Sequence, residues 1–292
     1  MAGRLNGRVA IVTGASRGLG RSIALAFAAE GASVAVAART EQVWNDRLPG
    51  TIGDTVAEIE AAGGRALAVR ADLLEPGDTT ALVETTRQAF GPVTILVNNA
   101  AFTAPGRPPK PGVAAPPTNL ADAPPAKTVR ADWPGFIETP VGAFRRHFEI
   151  ALFAAYELMQ LAATDMIDAG FGSMVNITSG ASRMPGGGPY PDRSGGVLPG
   201  YGGSKAGLEH LTQCAAFELQ DHNISVNALS PSNAIMTPGV AYYSRNFDEY
   251  GSAGDFAEAA LRLALAEPEL VTGRVLGHLD VLDGSYRPFM LG

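Results

Sequence analysis

The chain has 292 residues, 46% hydrophobic and 17% charged, with a formal net charge of −7, enough apolar material for one large α/β unit or two small ones. Its mean hydropathy is +0.07; no apolar run approaches the roughly 18 residues of a bilayer crossing, and the acidic balance lacks the basic face that nucleic acid or an anionic membrane would need. One cysteine, Cys214, excludes an internal disulfide, and four scattered histidines complete no zinc cluster, so no metal is expected.

The amino-terminal segment runs directly into a strand-like stretch without a secretory signal pattern, which makes the cytoplasm the expected setting. Short β-rich apolar runs then alternate with amphipathic stretches. Strands are predicted over 8–13, 33–38, 66–71, 94–98, 173–178, 224–228 and 274–278, and helices near 18–30, 52–63, 77–90, 141–169, 201–221 and 255–266. Each helix is long enough to serve as a right-handed crossover. The pattern reads as a single doubly wound Rossmann-type α/β domain, a seven-stranded and mostly parallel sheet with helices on both faces. Cys214 falls in the helical HLTQCAAFEL and is expected to be a small buried hydrophobe, not a reactive thiol.

Three stretches break the rhythm. Residues 102–140 hold 10 of the 21 prolines and cannot form regular structure; they read as a solvated insertion or a flap over a pocket. Residues 180–200 contain seven glycines and four prolines. Residues 232–254 carry Tyr242, Tyr243, Phe247 and Tyr250, aromatic side chains suited to a substrate lid or a subunit interface.

The first strand breaks at Thr13 and Gly14 into a glycine-rich turn, Gly14-Ala15-Ser16-Arg17-Gly18-Leu19-Gly20, that opens a helix. Glycines admit a phosphate close to the backbone, and the helix N-terminus offers N–H groups with partial positive charge. The same residues match the G-x-S-x-G elbow of hydrolases, but only about a dozen residues precede Ser16, too few for the strands that elbow follows. After the second strand, where NAD-preferring folds place a carboxylate, the chain has Arg39 and Thr40. Arg39 and Arg17 could bracket a ribose 2′-phosphate, which favours NADP(H) over NAD(H). Farther on, Tyr201 and Lys205 sit four apart on a helix and share a face. The ammonium is expected to lower the phenol pKa and make it a usable acid or base.

Taken in order, Thr13 to Gly20, Asn98-Asn99-Ala100-Ala101, Ser179, and Tyr201 to Lys205 resemble the motifs of the short-chain dehydrogenase/reductase family across essentially the whole chain. The stretches 48–52 (LPGTI) and 58–64 (EIEAAGG) resemble its hydroxysteroid dehydrogenase-like branch. The resemblance implies that Ser179, Tyr201 and Lys205 are catalytic. It further implies that Asp72 and Leu73 line the adenine, Asn98 to Ala100 the adenosine ribose, and Ile235 and Thr237 the nicotinamide carboxamide. Lys205 would also hold the nicotinamide ribose, and the assembly would be a homodimer or homotetramer.

The sequence departs from that family at several points. Ala151 stands where an asparagine usually supports the proton path to the lysine; a water, or His147 one turn earlier, is a candidate substitute. Tyr201 lies 22 residues after Ser179, about ten more than usual, and Tyr190 between them is no rival because position 194 is serine. Ala101 and Ser232 each replace a usual glycine. Two function classes follow: an NADP(H)-dependent oxidoreductase of an apolar carbonyl or alcohol substrate, or a non-catalytic NADP(H)-binding sensor or scaffold. Epimerisation or dehydration on the same fold is a third outcome.

Overall fold

A computed structural model describes residues 3–102, 136–137, 139–189, 199–243 and 250–289. Seven strands form one sheet: β1 (Val9–Thr13), β2 (Ser33–Ala38), β3 (Arg65–Arg70), β4 (Ile95–Asn98), β5 (Gly172–Ile177), β6 (Ile224–Ser230) and β7 (Val275–Gly277). Their order is β3-β2-β1-β4-β5-β6-β7, with every neighbouring pair parallel. The chain order reverses between β1 and β4, which opens a crevice at the carboxyl ends of the central strands, where such folds bind ligands.

Central strands such as β1 (VAIVT) and β6 (ISVNALS) are buried at every position, because helices cover both faces of the sheet. Alternate residues of one strand therefore enter different cores. On one face Ala10, Val12 and Val34 pack with Ile23 and Phe27 of α1 (Gly18–Ala29) and with Phe256 and Leu263 of α8 (Ala253–Ala264). On the other, Ile11, Leu96 and Met174 meet Leu82 of α3 (Asp78–Phe90), Met166 of α5 (Ala154–Ala169) and Ala216 of α6 (Pro199–Leu219). Edge strand β3, RALAVR, puts arginines at its two exposed ends, a feature that discourages edge-to-edge pairing.

Helix starts follow their capping residues. In α2 (Ile52–Ala61) the Thr51 hydroxyl accepts from the Asp54 N–H, and the Asp54 carboxylate accepts from the Thr51 N–H, both at 3.0 Å. The Ser252 hydroxyl caps α8 by accepting from the Gly254 and Asp255 N–H groups, an arrangement worth about 1 kcal/mol.

Several expectations change. The helix predicted over 141–169 is continuous but composite: α4 (Val141–Phe148), a π-helical segment Glu149–Phe153, then α5. By length and composition this 29-residue run could cross a bilayer, contrary to the sequence expectation, yet half of its apolar window is buried within the fold, as in a core crossover. The last strand ends at Gly277, and His278 opens α9 (His278–Leu282). A short helix, α7 (Pro238–Tyr243), was not expected. Cys214 is exposed, not buried: the inward stripe of α6 runs through Leu208, Thr212 and Ala216, and Cys214 falls off it. Most of 102–140, Tyr190, Phe247 and the side chains of Tyr242 and Tyr243 lie outside the described residues.

Candidate active site

At the end of β1 the Thr13 hydroxyl donates to the Val97 carbonyl at 3.2 Å and accepts from the N–H groups of Asn99 and Ala100 at 3.0 and 3.1 Å. The chain then turns at Gly14 (φ +67°) and Gly18 (φ +57°), left-handed conformations that favour glycine, and enters α1. Asn99 holds the turn, its side-chain amide donating to the carbonyls of Thr13 and Gly14 at 2.9 and 3.2 Å.

This turn is one wall of a cavity of about 680 Å³. Around it the strand ends contribute in spatial order. Thr13, Gly14, Ser16, Arg17, Gly18 and Leu19 follow β1, Arg39 and Thr40 follow β2, and Asp72 and Leu73 follow β3. Asn99 and Ala100 come after β4, Ser179 after β5, and Ile235 and Thr237 after β6, with Tyr201 and Lys205 reaching in from α6.

Two of the expected cofactor residues do not line it. Asn98 is paired in register with Asn176, so their amides lie on the same face of the sheet. Asn98 donates to the Asn176 side-chain oxygen, and Asn176 donates to Thr212 of α6, both at 2.9 Å. Its side chain is thus committed to the sheet interior, while Asn99, beyond the strand end, faces the glycine turn. Gly20 is buried where a Cβ would collide with the Asn99 amide and the Gly14 carbonyl; its role is to let α1 pack against the turn.

Arg17, which lines the cavity, donates to the Thr40 hydroxyl at 3.1 Å and to the Gly50 carbonyl at 3.2 Å. Burial, and then the charge of Arg39, lower its pKa. Its Nε is buried with no hydrogen-bond partner. Two guanidinium groups close enough to disfavour each other, beside a helix N-terminus, suit a phosphate-bearing ligand. The residues present therefore fit a phosphorylated dinucleotide.

At the other end Ser179, two residues past β5, caps a 3-10 turn, Gly180–Arg183, its hydroxyl accepting from the Ala181 N–H at 3.3 Å. That hydroxyl is hydrogen-bonded to the Tyr201 phenol. Lys205 is fully buried; its ammonium donates to the Ile177 carbonyl at 2.6 Å and lies 5.9 Å from the centre of the Tyr201 ring. Burial lowers the Lys205 pKa to about 8, with the Glu209 carboxylate acting in the opposite direction. Burial raises the Tyr201 pKa, and the bond to Ser179 works against it. The direction is opposite to the acidification expected from Lys205, because burial disfavours the charged phenolate.

His147 is buried, edge-on to Tyr201 with ring centres 6.1 Å apart, and its pKa is lowered to about 4 by burial and then by the charges of Lys205 and Arg146. It is a neutral imidazole in the physiological range. Ala151 lies one turn on, inside the π-helical segment, a distortion often found at functional sites.

Sequence reasoning missed Trp44 and Leu48, which line the cavity from the loop before α2, and Phe289, which lines it from the carboxyl-terminal segment. Asn99 stood within a quoted motif, but no side-chain role distinguished it from Asn98. Trp44 and Phe289 carried no local signal, since both reach the site through long-range packing.

A family model described as short chain dehydrogenase matches residues 8–113 and 132–245. The 7alpha-hydroxysteroid dehydrogenase of Escherichia coli (strain K12) is 30% identical over 283 residues, covering 94% of this chain and 93% of the relative. The Hydroxysteroid dehydrogenase-like protein 2 of Xenopus laevis is 48% identical over 98 residues, 34% of this chain and 23% of that protein. A solved 7 alpha-hydroxysteroid dehydrogenase, complexed with NADH and 7-oxo glycochenodeoxycholic acid, superposes with a TM-score of 0.71 at 30% identity, covering 94% of this chain and 93% of its own. With the glycine turn, the seven parallel strands and these relatives in agreement, the chain belongs to the short-chain dehydrogenase family, on its hydroxysteroid dehydrogenase-like side, and is an oxidoreductase acting on alcohol or carbonyl groups with a nicotinamide cofactor.

Proposed function

We propose that the protein is an NADP(H)-dependent oxidoreductase of an apolar carbonyl or secondary-alcohol substrate, acting in the cytoplasm as a single-domain protomer of a homodimer or homotetramer. The observation that carries the NADP(H) assignment is the placing of Arg17, after β1, and Arg39, after β2, in one cavity wall, where the charge of Arg39 disfavours that of Arg17 and a phosphate would be favoured by both. The solved hydroxysteroid dehydrogenase noted above holds NADH, so the preference is argued from these two arginines and not from the family.

When bound, the nicotinamide supplies or accepts the hydride. Asp72 and Leu73 would hold the adenine, Ala100 and Asn99 the adjoining ribose, and Ile235 and Thr237 the carboxamide. In reduction the Ser179 hydroxyl donates a hydrogen bond to the oxygen that gains charge, and the Tyr201 phenol delivers its proton. Lys205 would hold the second ribose, and its ammonium places a positive charge near the phenolate that forms. Oxidation reverses each proton step. An apolar substrate is supported by Ile150, Ala181, Met184, Val240 and Phe289 in the cavity wall, and the hydroxysteroid relatives favour a steroid-like or lipid-like ring.

The test is a panel of apolar ketones and secondary alcohols, assayed with NADPH and with NADH, in the native protein and Tyr201→Phe. Turnover with NADPH, lost in Tyr201→Phe, is expected; equal rates in the two proteins would remove Tyr201 from the chemistry. Tight NADPH binding with no turnover of any compound would favour the sensor reading, motivated by Ala151 in the π-helical segment.

A further inference from the structure

Ser179 and Tyr201 meet although they stand 22 positions apart in the chain, and a side chain of α6 ties their two elements together. Glu209 lies two turns beyond Tyr201 and one beyond Lys205 on α6, and it is buried. One carboxylate oxygen accepts from the hydroxyls of Thr178 at 2.6 Å and Ser182 at 2.7 Å, residues on either side of Ser179. The other accepts from the Arg183 guanidinium at 2.8 Å, and Arg183 also donates to the Ser182 hydroxyl at 3.1 Å. The same guanidinium stands 5.3 Å from the centre of the Phe289 ring, which lines the cavity.

We propose that Glu209 is a positioning residue: its carboxylate ties the turn bearing Ser179 to the helix bearing Tyr201 and, through Arg183, holds the Phe289 wall of the substrate cavity. The inference rests on the oxidoreductase reading above. Three donors converge on one buried carboxylate, and all three come from the segment that starts with the β5 end and finishes with the 3-10 turn. Releasing any of them loosens the Ser179 hydroxyl against the Tyr201 phenol, and misplacement of a reacting group by about 1 Å can cost up to ~100-fold in rate. The charged groups facing the carboxylate are Lys205 on its own helix and Arg183 on the turn.

The experiment compares native protein with Glu209→Gln, which keeps the shape but turns an amide donor toward Arg183. Expected are a kcat for the ketone panel lower by roughly tenfold or more, a raised KM for the ketone as Phe289 is released, and an unchanged KM for NADPH. Independently of turnover, ultraviolet titration of Tyr201, read as the difference between Glu209→Gln and Glu209→Gln/Tyr201→Phe, should move to higher pH as the bond to Ser179 weakens. If Glu209→Gln does not fold, Ser182→Ala should give a smaller shift in the same direction, and Arg183→Met should raise the ketone KM more than it lowers kcat. A lowered melting temperature with native Tyr201 titration and native kcat would overturn the proposal and leave Glu209 a purely structural residue. Failure of the native protein to reduce any ketone would instead strike the oxidoreductase reading, while the Tyr201 titration would still judge Glu209.

Discussion

Burial, and then the charge of Arg39, lower the pKa of the Arg17 guanidinium, and both arginines line the cavity, with Arg17 hydrogen-bonded to Thr40 and Gly50. An anion placed between the two would be favoured by both charges. Arg39→Ala should therefore weaken NADPH binding about 10- to 100-fold, the loss expected for a charge-assisted hydrogen bond of about 1.5–3 kcal/mol, and leave NADH binding little changed. Titration of cofactor fluorescence with both dinucleotides checks this, and equal losses for the two would exclude a 2′-phosphate contact.

Lys205 has a pKa near 8 in the folded chain. Its ammonium is present below that pH and discharges above it, so kcat for ketone reduction should fall as pH rises through about 8. Lys205→Met should be slower throughout and lack that limb. A native pH profile flat across this region would separate the Lys205 charge from catalysis.

His147 stays neutral down to about pH 4 when folded, against 6.5 as its ordinary value. Between these values the unfolded chain binds a proton that the folded one refuses, so this contribution to stability is whole above pH 6.5 and declines as pH falls toward 4. His278 is lowered in the same direction by burial and adds to the effect. His147→Phe should make the melting temperature less dependent on pH in this window. An undiminished slope would assign the acid sensitivity to other groups.

Gly20→Ala would push a methyl group into the Asn99 amide and the Gly14 carbonyl. Overpacking of this kind costs about 1–3 kcal/mol, and the displaced Asn99 should also loosen the glycine turn. Denaturant unfolding should show the loss, and cofactor binding should weaken with it; native stability would show that the turn can yield.

Ala151→Asn places an amide on the π-helical segment, where Ala151 is buried. The added volume should destabilise the fold, and the amide should raise kcat by extending the proton path toward Lys205. Unchanged kcat at every pH would mean that the native path already suffices.

Much of the fold is legible in the sequence because the sheet is covered on both faces. Its central strands must then be short, uninterrupted apolar runs such as VAIVT, and the glycines between β1 and α1 announce a phosphate-accepting turn through their backbone freedom. Tyr201 and Lys205 were equally legible, since a spacing of four on a helix fixes a shared face without knowledge of the partner elements. Side-chain choices made by register were not. Asn98 and Asn99 are adjacent and identical in type, and only the pairing of β4 with β5 sends one into the sheet and the other to the turn. Cys214 likewise lies on a helix whose buried stripe is set by what packs on it.

By itself, then, the sequence determined which groups are available: a glycine turn, two arginines, and a serine, tyrosine and lysine in the order of an oxidoreductase family. Tertiary structure decided how strongly they act. Burial lowers Lys205 and raises Tyr201, the reverse of what two neighbours in water would do to that phenol, and Glu209 collects donors from the segment around Ser179. Proton affinity depends on solvent exclusion and on partners brought together from distant parts of the chain, and neither is a property of local spacing.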